Sequence, residues 1–226
     1  MATNTLILVT TITPLLYIAD LLSQYLYVHF GPGQPVIPHN ARWFFIHALA
    51  NGMVSLLGSN DLLYCTKHIS TCASEGWTDL SYATFMVAII FHLYHIVFFW
   101  EKLSRDEWVH HGVMIGISTP LTLYYPTRAN IVALCFLTGY PGMIDYALLW
   151  GVKMGWVARD SERMCNAWIN VWLRSPGCLF ASFLALPIIF DGTWMEALVP
   201  LSLALLSFWN GQYYMVKSVG SEKLKW

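Results

Sequence analysis

Runs of about 20 apolar residues, separated by short polar or Pro/Gly-rich intervals, recur along the whole chain. They lie near residues 5–28, 43–65, 80–100, 108–125, 129–150, 166–190 and 194–216. Each interval has a cause. GPGQPVIPHN (31–40) is a Pro/Gly loop, TKHISTCASEGWTD (66–79) is polar, and EKLSRDE (101–107) is a cluster of charge. YPTR (125–128) is a proline turn, KMGWVARDSER (153–163) is the longest polar connection, and FDGT (190–193) is a tight turn. This pattern predicts an all-α, polytopic membrane bundle of about seven transmembrane helices in one domain, residues 1–226. MATNT at the start has no positive charge and the run after it is long enough to span. It reads as an uncleaved helix, although Pro14, Asp20 and Gln24 weaken it.

Composition agrees with the pattern. The 226 residues are 57% hydrophobic and 11% charged, against about 25% charged in soluble domains. A soluble globule of this size could not be solvated by so few charges. The formal net charge of −1 gives no electrostatic footprint for a nucleic-acid partner.

Charge also orients the bundle. With seven spans, the N-terminal side holds Lys67 and Arg128. The opposite side holds Arg42, Lys102, Arg105, Lys153, Arg159, Arg163, Lys217, Lys223 and Lys225. Positive residues favour the cytosolic face, so the C-terminus is expected there and the N-terminus outside. Cys135 and Cys178 fall in apolar runs and read as packing residues. Cys65 and Cys72 bracket a polar stretch and could pair if that loop faces an oxidising compartment.

Helix alternation then brings the intramembrane polar residues to one level. His47 stands about 6 Å in from the cytosolic face on the second span, and His92 and His95 about 8 to 12 Å in on the third. His110 and His111 open the fourth span, Asp145 lies near the end of the fifth, and Asn210 and Tyr213 lie near the end of the seventh. Ionisable groups inside a membrane are costly, which makes each a candidate functional residue. Asp106 precedes His110, and Glu107 precedes His111, by one helical turn. A carboxylate so placed can orient an imidazole and raise its pKa, although acidic residues also favour any helix N-terminus. His47 alone reads as an interfacial hydrogen-bonder. Arg174 reads as a bundle-facing or snorkelling cation balanced by Asp145.

Two chemistries suit this layer. Metal binding is disfavoured by spacing: membrane di-iron hydroxylases use about eight histidines in HxxxH and HxxHH boxes, whereas HLYH (92–95) and HH (110–111) are fewer and differently spaced. No metal and no cofactor are therefore expected. Acid–base work on a lipid-borne substrate is the second: imidazole and carboxylate at an interfacial cavity suit acyl transfer to an amine or alcohol.

Four stretches carry a resemblance: RWFFIHALANGMVSL (42–56), FHLYHIVFFWEKLSRDEWVHHG (91–112), GYPGMIDYALLWGVK (139–153) and FWNGQYYMVK (208–217). In this order they resemble the TLC domain, the membrane domain shared by ceramide synthases and the translocating-chain-associating membrane protein. The TLC-like region covers residues 42–217. The resemblance implies an endoplasmic-reticulum or other organelle membrane and a role with membrane lipids. It also implies His110, His111 and Asp145 as catalytic residues, with acyl-CoA as a substrate if the protein is an acyltransferase. His92, His95, His47, Asn210 and Tyr213 would contact substrate. This chain departs from the ceramide synthases in two places. Met114 and Ile115 stand where they have a Thr after the histidine pair, and PGMID (141–145) replaces HDxxD. Lipid binding or sensing is therefore expected ahead of catalysis. A structural subunit with partners in a larger membrane assembly is the rival class.

Overall fold

The computed structural model describes residues 2–33, 38–191 and 193–222. Lys223 and Lys225, counted above for orientation, lie outside them. Within the described residues the protein is all-helical and forms seven rods. The first three are α1 (Ala2–Phe30), α2 (His39–Lys67) and α3 (Asp79–Phe99). The fourth joins α4 (Arg105–Val113) to α5 (Thr119–Tyr124), and the fifth joins α6 (Arg128–Leu134) to α7 (Tyr140–Lys153). The sixth joins α8 (Arg159–Ile169) to α9 (Ser175–Leu184) and ends in the short α10 (Leu186–Asp191); α11 (Trp194–Glu222) is the last. Four stretches are long and apolar enough to cross a membrane: Thr5–Phe30, Asp79–Lys102, Arg128–Lys153 and Arg159–Phe190. Their outer faces display large apolar side chains such as Leu6, Val97, Phe98 and Trp172, as expected of a protein in membrane lipid.

The breaks are built by local chemistry. Thr78 and Ser104 each start a helix with a reciprocal capping box, to Ser81 and Glu107. The α7 end is a Schellman turn. Gly155 takes φ +76°, Trp156 N–H donates to the Gly151 carbonyl, and Gly155 N–H donates to that of Val152. Its apolar clasp is Trp156 against Trp150, with ring centroids 5.2 Å apart.

Three rods share one irregularity. Met114–Ser118, Cys135–Gly139 and Asn170–Arg174 are widened π turns, and each is followed two residues on by a proline: Pro120, Pro141 and Pro176. A proline ring inside a regular helix clashes with the carbonyl four residues back. Widening the preceding turn relieves that clash and lets the rod continue.

α2 is the central rod, packed against α1, α3, α6 and α7, while α11 lies along α9. Close approach of α2 to the fifth rod depends on small residues: a Cβ at Gly58 would collide with Cys135, and one at Gly142 with Asn51. Thr138 Oγ1 donates to Asn51 Oδ1 at 2.6 Å across the same seam. The main apolar core gathers Ile12, Leu16, Ile46, Val54, Val87, Phe91 and Leu134.

One end of the bundle is closed by a polar clasp. Asp61 is fully buried on α2, accepts a hydrogen bond from Ser81 Oγ at 2.8 Å, and faces Arg128 Nε at 3.7 Å. The Arg128 guanidinium lies 4.0 Å from the Tyr64 ring centre. Trp77 Nε1–H donates to the Thr127 carbonyl, and Arg128 N–H to that of Glu75. Cys65 and Cys72 form a disulfide at this end, which answers the pairing left open by the sequence.

Candidate histidine site

At the other end, five imidazoles from three helices form one contiguous layer. α2 supplies His47, α3 supplies His92 and His95, and α4 supplies His110 and His111. His95 is the hub: its ring centre is 4.2 Å from that of His47 and 5.7 Å from that of His111. His111 continues to His92 at 5.3 Å and to His110 at 5.4 Å. Convergence of these helices, expected from hairpin alternation alone, therefore holds for all five histidines.

Backbone carbonyls fix two of the rings. His92 Nδ1 lies 2.7 Å from the Ala88 carbonyl, and His47 Nδ1 lies 2.7 Å from that of Trp43. A carbonyl only accepts, so in both rings Nδ1 carries the proton and the neutral ring keeps a lone pair on Nε2. His92 Nε2 is 3.3 Å from His110 Nε2. His95 is fully enclosed and, among the described residues, neither of its nitrogens has a hydrogen-bond partner; His111 Nδ1 is likewise buried and without one among them. Trp43 stacks on His95 with ring centres 3.9 Å apart and planes within 12°.

The carboxylates expected to serve these rings do otherwise. Glu107 Oε2 accepts from Ser104 N–H at 2.7 Å and Ser104 Oγ–H at 2.6 Å, so it caps α4 rather than holding His111. Asp106 is exposed, with no bond to His110 among the described residues. Asp145 is likewise not joined to the histidines by any hydrogen bond or ion pair among the described residues. Its charged neighbours are Arg174, Glu162 and Arg159, and its Oδ1 is buried without a hydrogen-bond partner. Nor is Asp145 within ion-pair distance of Arg174, whose guanidinium sits 4.7 Å from the Tyr214 ring centre. The next residue, Tyr146, is the one that reaches the layer, 4.1 Å from His47 between ring centres.

His110 also lines a cavity of about 370 Å³ between α3, the fourth and fifth rods and α11. Asn210, Tyr213 and Tyr214 join His110 in its lining, Thr119, Thr122 and Asn130 add polar groups further along, and the walls are otherwise mostly apolar, from Phe85, Met114, Leu137 and Leu206. His110 and Thr122 both line it, so it runs about 18 Å along the fourth rod. Asn210 and Tyr213 thus share this cavity with His110, while His47, His92, His95, His111 and Asp145 do not line it. A wider depression of about 710 Å³ between Lys67–Thr71 and Phe183–Phe190 lies at the clasp end and shares no residue with the layer.

Two contributors were not anticipated from the sequence: Trp43 and Tyr146. Trp43 could have been found from its i,i+4 spacing to His47, which puts both on one helix face. Chemically, the layer offers a proton path between His92 and His110, and three imidazole nitrogens, from His92, His110 and His111, within 4.8 Å of one another. The chain matches no family model, no curated protein and no solved structure.

Proposed function

We propose that this is a TLC-type membrane protein that spans the bilayer seven times and binds a membrane lipid, its polar part at His110 and its chain along the cavity. The observation that carries this reading is the cavity itself: elongated and walled mostly by apolar side chains, with His110, Asn210, Tyr213 and Tyr214 available to a polar group. The histidine layer lies on the lysine- and arginine-rich side, which the positive-inside rule makes cytosolic. The Cys65–Cys72 disulfide at the opposite end supports the same orientation, since disulfides persist in oxidising compartments.

Binding is favoured over acyl transfer by the position of Asp145. The acyltransferase reading needs a carboxylate to orient His110 or His111, and Asp145 has no hydrogen bond or ion pair to either among the described residues. The departure at PGMID has a packing reason that supports this: Gly142, which replaces an acidic residue of the family motif, makes room for Asn51. A structural subunit would have its centre filled by side chains, and the cavity weighs against that role.

The test is mass spectrometry of lipids retained by the purified full-length protein. Wild type should hold a defined lipid class, and Ala133→Trp, which fills the cavity wall, should lose it while remaining folded. Equal lipid in both proteins, or only bulk membrane lipid in wild type, would remove the reading.

A further inference from the structure

We infer that His92, His110 and His111 form a binding site for a divalent transition-metal ion, with zinc as the cation whose geometry fits. This inference does not depend on what fills the cavity. It revises the expectation drawn from linear spacing, because the ligands come from two helices and are not contained in one motif.

The argument begins with separation. Tetrahedral zinc holds imidazole nitrogens at about 2.0–2.1 Å, which sets any two of them about 3.3–3.4 Å apart. His92 Nε2 and His110 Nε2 are 3.3 Å apart. The His111 nitrogen completes a set lying within 4.8 Å, close enough to join by a small rotation of one ring.

The second support is protonation. His92 Nδ1 donates to the Ala88 carbonyl, which leaves Nε2 as the free lone pair. A ligating histidine ordinarily donates its other ring N–H in this way, fixing its tautomer and orientation. Without an ion, one shared proton can join His92 to His110, but nothing satisfies His111 Nδ1, a buried and unpartnered nitrogen on a side chain 3% exposed. Leaving such a group unpaired is costly, and ligation through Nδ1 would satisfy it.

The third support is shape. His92 and His111 are buried and His110 is exposed, so the triad opens on the His110 side. Three imidazoles and one open position form the ligand set of catalytic rather than structural zinc sites.

The experiment is zinc titration of the full-length protein, purified in detergent without a polyhistidine tag and stripped with a chelator. Wild type should bind one zinc per chain, and cobalt in its place should give the visible bands of a tetrahedral site. His110→Ala should weaken binding by more than about 100-fold, since even loss of an outer-shell partner costs 10–100-fold. His110 is exposed, so this variant should fold, as circular dichroism and a monodisperse elution profile would report. His110→Cys should retain cobalt and add a thiolate charge-transfer band that a merely structural residue could not produce. His29→Asn with His68→Asn, on exposed histidines outside the layer, should bind as wild type does. Folded wild type without stoichiometric zinc would overturn the site, as would His110→Ala binding zinc as tightly as wild type.

Discussion

Asp61 and His47 stand on the same helix about 21 Å apart, and their surroundings are built on different principles. Around Asp61 a buried charge is offset by an opposite one, although Asp61 Oδ1 and Arg128 Nε, 3.7 Å apart, make no hydrogen bond. Ser81 donates to it, Arg128 opposes its charge, Tyr64 covers the guanidinium, and a disulfide and a capping box close the same end. Around His47 no opposite charge is paired with the rings, and among the described residues His95 has no hydrogen-bond partner for either nitrogen and His111 none for Nδ1. A charge-paired cluster holds helices in register. An unmatched one, next to a cavity, is a place where something else is expected to bind. The contrast assigns stability to the first region and recognition to the second, and substitutions can break it.

The largest effect is expected at Asp61. Asp61→Ala would leave Arg128 partly buried without its counter-charge, and breaking a buried pair from one side costs about 3–5 kcal/mol. Unfolding in mild detergent should show a loss of that order. A loss below about 1 kcal/mol would mean the clasp behaves as a surface pair, and the division of roles would fail.

Gly142 tests the seam joining the two regions. Gly142→Leu forces a side chain onto Asn51 and should cost about 1–3 kcal/mol by overpacking. Asn51→Ala in the same chain should recover part of that cost, because neighbours that collide do not add independently. Simple additivity of the two would show that α2 and α7 do not meet as closely as described.

Cys65→Ser removes a short loop closure at the clasp end and should lower stability by about 2 kcal/mol on the chain-entropy account. It also sharpens the orientation. A membrane-impermeant reductant added to intact organelle vesicles, cytosolic face outward, should leave the wild-type disulfide closed until the membrane is permeabilised. Release of the thiols without permeabilisation would invert the proposed topology.

These two regions were not equally legible in the sequence. The seven helical rods fall where the apolar runs predict, because breaks such as YPTR and EKLSRDE carry local signals strong enough to end a helix. Depth was legible for the same reason: residue count from a break gives distance along a rod, and the five histidines do reach one level. Direction around a rod was not. Asp145 is near the correct depth yet makes no bond to the histidines among the described residues, while Tyr146 packs against His47. Part of the cause is the widened turn at Cys135–Gly139, which advances every later side chain relative to a regular helix. The clasp was hidden for another reason: Asp61, Ser81 and Arg128 come from three rods, and none is distinctive alone.

The smallest stability effect is expected at the centre of the histidine layer, where it discriminates best. His95→Phe keeps a planar ring against Trp43 and removes two buried nitrogens that have no partners. Replacing an unsatisfied polar group by an apolar one of similar shape is nearly neutral or stabilising. The melting temperature should hold or rise, in contrast to the loss at Asp61. If the same variant also changes the lipid retained, the layer is serving recognition at the expense of stability. If His95→Phe instead destabilises as strongly as Asp61→Ala, His95 has partners in the folded protein that hold the helices together. The two ends of the bundle would then be alike.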